Sequence, residues 1–262
     1  MTEFVKLVRI VRRLRDKKNG CPWDIKQTSQ SLVANFIEEL YEAVEAIECH
    51  DYEHLKEELG DLMLHIVMQA QIAAEEDEFD IEDVINSISE KLIRRHPHVF
   101  GKNEAKKDAA SVKQNWELLK QEEKKHTRES VLDGIPHSMP ALIVAQRIQE
   151  KAATVGFDWD NVQQVFDKLS EELEEFKHAY QSKDQQSMYA EMGDVLFSLV
   201  NLARVLEFDA ESALRATIKK FEHRFKQIEK YHKENDIDIR KSTMIALFSP
   251  IYGWDHNQNR LS

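Results

Sequence analysis

Turn-forming residues are scarce in this 262-residue chain, with 7 glycines and 5 prolines, well under the roughly 7% and 5% of average usage. That scarcity excludes a sandwich or barrel of many short strands, which needs frequent turns. Only two cysteines occur, Cys21 and Cys49, and they carry no metal-ligand spacing, so neither a disulfide framework nor a zinc site is expected. Long apolar runs are also missing. No uncharged stretch exceeds the 13 residues of Leu62 to Ala74, which includes His65, Gln69 and Gln71 and is too short and too polar to cross a bilayer. Cations are outnumbered, 36 Lys and Arg against 48 Asp and Glu for a net charge of −12, which disfavours nucleic acid and anionic membrane as partners. The start of the chain does not join a basic stretch to an apolar core in the manner of a secretory leader. The expectation is a reduced, cytoplasmic protein with no membrane segment and no nucleic-acid partner.

What is abundant is Glu, Lys, Leu, Ala and Gln, all good helix formers. The pattern predicts helices from about Glu3 to Lys18, stopped by Asn19-Gly20 and Pro22; from about Ser29 to Cys49 with Thr28 or Ser29 as N-cap; from about Tyr52 to Glu76; and over Ile81 to Arg95, ended by Pro97. Four more follow, Pro140 to Ala153, Val162 to Gln181, Gln185 to Glu207 and Ala210 to Asn235. The two sets are copies. EELYE (Glu38 to Glu42) and ELGD (Glu58 to Asp61) return 133 residues later as EELEE (Glu171 to Glu175) and EMGD (Glu191 to Asp194), with seven of nine positions identical. Upstream the lag is 134 and pairs Arg13 with Arg147, Leu14 with Ile148, Lys17 with Lys151 and Asp24 with Asp158. The expected fold is all-α, a tandem repeat of four-helix bundles joined by a partly helical linker. Its parts would be residues 1–100, a linker over 101–137 with a helix around Ser111 to Lys125, a second bundle over 138–235, and a poorly ordered tail over 236–262.

Residues three or four apart share a helix face. Glu39 with Glu42, and Glu58 with Asp61, therefore form two acidic pairs, repeated as Glu172 with Glu175 and Glu191 with Asp194. If the two helices of a copy pack antiparallel, as the short His50-Asp51 connection suggests, four carboxylates meet. Two like charges 4 Å apart repel by about 4 kcal/mol at an effective dielectric of 20, so the cluster needs a cation or protons. Oxygen-only ligands favour Mg²⁺ or Mn²⁺, ions that commonly share their sphere with phosphate. A solvated acidic face accounts for any one EExxE, but less readily for two in register beside apolar stretches. A di-iron bundle requires Glu-x-x-His from two helices, and only Glu175 to His178 supplies it. His65 shares the face of Glu58 but has Ser198 as its counterpart, which reads as packing or an outer-shell role. Cationic groups for anionic substrate stand on the fourth helix of each copy, as Lys91, Arg94 and Arg95 and as Lys219, Lys220 and Arg224.

These features resemble the MazG-type nucleoside triphosphate pyrophosphohydrolases of the all-α NTP pyrophosphatase superfamily. The likeness rests on EExxE followed after 15 residues by ExxD in both copies, on GCPWD (Gly20 to Asp24) with Gln27 and Thr28, on RRHPHVF (Arg94 to Phe100) and on VGFDW (Val155 to Trp159). It implies MazG-like helical domains, hydrolysis of (deoxy)nucleoside triphosphates to monophosphate and pyrophosphate, Mg²⁺ dependence, a homodimer and a housekeeping role in the nucleotide pool. By motif the metal ligands would be Glu172, Glu175, Glu191 and Asp194, with Glu39, Glu42, Glu58 and Asp61 at matching places. Glu171 or Glu38 would position water, and Lys168, Lys220 and Arg224 would contact phosphates. Where relatives commonly end in an acidic amphipathic helix with a Trp, this chain has Ser249 to Trp254 in another context, and Ser187, Met188 and Tyr189 stand where Lys and Glu are common. A non-catalytic interaction protein, or a regulator that senses nucleotides, is the rival from another class.

Overall fold

The computed structural model describes residues 2–101, Val112 and 129–239, and every described regular element is a helix. The chain forms two compact units, Met1–Glu123 and Lys124–Ser262. In the first, the long helices are α1 (Glu3–Leu14), α3 (Val33–Glu48), α4 (Tyr52–Glu75) and α5 (Ile81–Arg95), with single turns α2 (Pro22–Ile25) and α6 (Pro97–Phe100) between and after them. The second repeats the plan as α7 (Ala141–Ala153), α8 (Val162–Ser182), α9 (Gln185–Val205) and α10 (Ala210–Glu234). The linker helix expected around Ser111 to Lys125 lies outside the described residues, Val112 apart, as does the tail from residue 240 onward.

Each unit is organised by one antiparallel hairpin, α3 on α4 and α8 on α9. Both hairpins turn in the same way. His50 and Lys183 adopt left-handed φ values of 55° and 57°, and the following Asp51 and Asp184 cap the next helix by accepting from the backbone N–H of His54 and of Gln186 and Ser187. Later starts use the same chemistry, with Asp80 and Asp83 in a reciprocal capping box and Asp209 accepting from Ser212. In the first unit α1 crosses α4, and Val11, Leu32, Val67, Met68 and Ile72 form its core. In the second, α7 and α10 pack on each other and α7 on α9, with Val165, Val195, Val200 and Ile228 buried.

Two helix starts and ends differ from expectation. The first helix stops at Leu14 rather than near Lys18, because the Asp16 carboxylate accepts from the Lys18 and Asn19 N–H groups and the Cys21 N–H closes on the Leu14 carbonyl at 2.7 Å. The turn beyond depends on Gly20, where a Cβ would lie 2.3 Å from the Leu14 carbonyl oxygen. The third element begins at Val33, not Ser29, with Leu32 as an N-cap that makes no side-chain bond. Thr28 and Ser31 do exchange side-chain to backbone bonds, 3.1 and 2.9 Å long, but they close a turn over residues 29–32 that leads into the helix.

Candidate active site

The hairpins bring acidic side chains together. In the first unit, carboxylate oxygens of Glu39, Glu58 and Asp61 lie within 4.8 Å of one another; in the second, those of Glu172, Glu175 and Glu191 do. The expected four-acid convergence is thus three-acid in each. Glu42 stays outside the first trio, and Asp194 outside the second, although Asp194 lines the same cavity as Glu172. Burial is uneven, with Glu58 and Glu172 buried while Glu175 is exposed. The Glu58 Oε1 atom is 2.8 Å from His54 Nε2, and its Oε2 has no hydrogen-bond partner. Glu39 shows the electrostatic consequence. Desolvation, then hydrogen bonding with Glu58 and repulsion from Asp61, Glu42 and Glu58, hold its carboxyl up at about 7. Glu175 is also raised, by desolvation and by repulsion from Glu172 and Glu191.

The second trio is neutralised differently. Lys168, one turn before Glu172 on α8, places its Nζ 2.9 Å from Glu172 and 3.1 Å from Glu171. Those two bonds hold its ammonium group well above the ordinary lysine value. Neither His54 in the first unit nor this pairing was singled out from sequence. Both were legible as an i, i+4 neighbour of a buried glutamate.

A cavity of about 380 Å³ opens beside the second trio, within the range of small-molecule sites. Its lining includes Lys168, Glu172 and Asp194 together with Gln149, Phe157 and Trp159. The Phe157 and Trp159 loop is fastened by Asp158, whose carboxylate accepts from both terminal nitrogens of Arg204 on α9. That pairing keeps the Asp158 carboxyl below its usual range. In the first unit the matching loop, Cys21 to Thr28, is fastened by the buried Arg15. Its guanidinium donates to both Glu75 oxygens at 2.8 and 2.7 Å and to the Asp24 and Gln27 carbonyls at 2.6 and 3.1 Å.

The remaining basic candidates do not join these clusters in the same way. Lys220 and Arg224 are exposed on α10 and are not among the residues lining the cavity. On α5, Lys91 is half-buried and Arg94 exposed, whereas Arg95 is buried. His65 is buried and stacked on Phe36 with ring centroids 5.6 Å apart, and burial lowers its basicity. Its Nδ1 is buried without a hydrogen-bond partner and Asp61 of the acidic trio acts on it electrostatically, features of an outer-shell position as well as of packing.

A duplicated helical hairpin with clustered acids defines a class that the comparisons make specific. The family model described as the MazG nucleotide pyrophosphohydrolase domain matches residues 27–100 and 160–228. The chain is 49% identical over 238 residues to a Thermotoga maritima protein named nucleoside triphosphate pyrophosphohydrolase/pyrophosphatase MazG, covering 91% of this chain and 90% of that one. It is 45% identical over 233 residues to the Escherichia coli (strain K12) nucleoside triphosphate pyrophosphohydrolase, covering 88% of each. A Mycobacterium tuberculosis protein of the same name is 34% identical over 154 residues, 58% of this chain and 46% of that one. The chain belongs to the MazG family.

Proposed function

We propose that this protein is a cytoplasmic, Mg²⁺-dependent hydrolase that converts (deoxy)nucleoside triphosphates to monophosphate and pyrophosphate, with Mn²⁺ able to replace Mg²⁺. The observation that carries the reading is the meeting of carboxylates from two helices beside a cavity in the second unit. An all-oxygen donor set fits a hard divalent cation, and the unpartnered Glu58 oxygen is the sort of buried atom that a cation satisfies. Glu172, Glu175, Glu191 and Asp194 would hold the ion in the second unit, and Glu39, Glu42, Glu58 and Asp61 in the first. When bound, the ion supplies charge neutralisation at the phosphates and lowers the cost of forming hydroxide from water.

The chain's own residues do the rest. Glu171, exposed beside Glu172, accepts a proton from the attacking water. Lys168 exchanges its contacts with Glu171 and Glu172 for phosphate oxygens, frees those carboxylates, and stabilises the departing pyrophosphate together with Lys220 and Arg224. Lys91, Arg94 and Arg95 take the phosphate-contact role in the first unit. A homodimer is supported by apolar side chains that each unit leaves exposed on its hairpin, among them Phe36, Leu40 and Met63, and Tyr189, Leu196 and Leu199.

The test is product analysis. Incubated with each nucleoside triphosphate and Mg²⁺, the purified protein should form the monophosphate; formation of the diphosphate with orthophosphate would refute attack at the α position. A sensor would bind metal and nucleotide and form neither product.

A further inference from the structure

We propose that the first unit holds a mixed nitrogen and oxygen metal site, in which the imidazole of His54 joins the carboxylates of Glu39, Glu58 and Asp61, so that this unit takes a transition-metal ion, Zn²⁺ above Mn²⁺, in preference to Mg²⁺, a reading that rests on the proposed role of the acidic trios as cation sites. Four polar side chains share one face of α4, His54, Glu58, Asp61 and His65, at helical spacing. Glu58 is 5% exposed, and its Oε2 is buried with no hydrogen-bond partner. An ion seated among the three carboxylates satisfies that oxygen. The other oxygen, Oε1, lies 2.8 Å from His54 Nε2. Two atoms bound to one ion at about 2.1 Å each stand roughly 3 to 3.4 Å apart at right or tetrahedral angles. The imidazole and the carboxylate are therefore already close to the separation that shared coordination imposes, and the His54 side chain, 42% exposed, has room to turn. His65 backs the site from the other end. It follows Asp61 by one turn, is buried against Phe36 and interacts electrostatically with Asp61, the place of a group that orients a ligating carboxylate.

The two copies differ at both imidazoles and at neither set of acids. At the lag of 133, Glu39, Glu58 and Asp61 correspond to Glu172, Glu191 and Asp194, whereas His54 and His65 correspond to Ser187 and Ser198. The Ser187 hydroxyl is turned away to the Asp184 carboxylate, at 2.7 Å. The nitrogen beside the second trio is that of Lys168, and an ammonium group has no lone pair to give a metal. Its counterpart in the first unit is the uncharged Asn35. The second unit is thus left with oxygen donors and a cation of its own, and the first with oxygen donors and an imidazole.

That difference selects the ion. Imidazole nitrogen suits Zn²⁺ and its neighbours in the first transition row, while Mg²⁺ keeps to oxygen ligands and retains its waters. In binding the ion, His54 exchanges its contact with Glu58 for the metal, and the freed Glu58 oxygen is available to the same ion. The two copies can then be loaded independently, the second by abundant Mg²⁺ and the first by a scarcer ion that outcompetes it.

The experiment uses the full-length protein and metal alone, without nucleotide or turnover. Loaded with Mn²⁺, the wild type should show in pulsed electron paramagnetic resonance the nitrogen modulation of a directly bound imidazole, which an all-oxygen site does not give. His54→Ser, which installs the side chain of the second copy, should abolish it. In competition calorimetry the same variant should lose about tenfold or more in Zn²⁺ affinity at one site, with Mg²⁺ affinity changed less than about threefold, since Mg²⁺ does not use the nitrogen. A residue that merely supports the fold would weaken both ions together. Absence of nitrogen modulation in the wild type, modulation that survives His54→Ser, or equal losses for Zn²⁺ and Mg²⁺ overturns the assignment. The wild-type spectrum decides the matter even if His54→Ser does not fold. A protein that binds no divalent ion would sink the proposed function as well, whereas Mn²⁺ held by oxygen alone in both units removes only the nitrogen ligand.

Discussion

Replacing Glu58 by Gln should change stability with opposite signs depending on whether Mg²⁺ is present. Glu58 is only 5% exposed and faces two other carboxylates within 4.8 Å. One ionised pair at that separation repels by about 3.5 kcal/mol at an effective dielectric of 20. Glu39 and Asp61 are half-buried, so solvent screening moves the net value toward the ~1 kcal/mol of surface pairs. A relief of about 2 kcal/mol is expected when the charge is removed. Glutamine keeps an oxygen for the His54 bond and adds an amide donor that can face Glu39 or Asp61. At about 4 to 8 °C per kcal/mol for a unit of this size, the metal-free first unit should melt roughly 10 °C higher. With Mg²⁺ at a hundred times its dissociation constant, the wild type gains about 2.7 kcal/mol. The variant, left with two carboxylates of the trio, gains little.

The effect depends on pH with a definite sign. Glu39 titrates near 4.5 when unfolded and is raised to about 7 in the folded protein. Its contribution is therefore full below about 4.5 and is lost as pH rises through about 7. Metal-free wild type should weaken over that window, and both the Mg²⁺-linked gain and the benefit of Glu58→Gln should be larger at pH 8 than at pH 5.5. Differential scanning calorimetry of both proteins in chelator and in Mg²⁺ at the two pH values measures all three. A metal-free Glu58→Gln protein that melts lower than wild type at pH 8, or one that Mg²⁺ stabilises as strongly, refutes the reasoning.

Arg15→Met should cost about 3 kcal/mol by urea unfolding, at the low end for a broken buried pair because Glu75 keeps some solvent contact; adding Glu75→Leu should recover most of it, and a double variant no better than the single would contradict the account. Glu172→Gln should lower monophosphate formation at least 100-fold, since an interaction worth several kcal/mol is removed, with nucleoside affinity unchanged; retained turnover would place the chemistry in the first unit. A Cβ added at Gly193 would meet nothing within 4 Å, and the residue lies on one helix face with the exposed Tyr189 and Leu196. Alanine there should raise helix stability by about 1 kcal/mol yet weaken self-association in analytical ultracentrifugation, whereas an unchanged dimer would move the interface to another face.

The acidic clusters were legible because their information is local. A three- or four-residue spacing fixes the helix face, and the short His50-Asp51 corner fixes which face meets which. Which three of four acids converge was not legible, since it depends on rotation of one helix against another, and that is set by packing of side chains such as Val67 and Val200. The first helix ends a turn earlier than Asn19-Gly20 suggested, because those residues mark the turn but not its start: the Asp16 carboxylate accepts from the Lys18 and Asn19 N–H groups, and the Cys21 N–H closes on the Leu14 carbonyl. Thr28 and Ser29 looked like caps, and Thr28 does bond as a cap would, but around the turn over residues 29–32 that leads into the helix. The cavity was least visible of all, because residues from α7, the Asp158 loop, α8 and α9 build it together.

Duplication has preserved the acids while altering what surrounds them, and this bears on how the copies can share one chemistry. The first unit sets a histidine, His54, against its most buried glutamate, and the second sets a lysine, Lys168. A lysine on a flexible stem can leave its carboxylates for phosphate and return, keeping its charge at every pH a cell experiences. The loop fastenings diverge in the same direction. In the first unit Arg15 fills the space between loop and hairpin with a bonded guanidinium, whereas in the second the Asp158–Arg204 pair holds the loop at the rim and leaves the interior open. Removing Asp158 should therefore harm substrate affinity more than fold stability, and removing Glu75 should do the reverse.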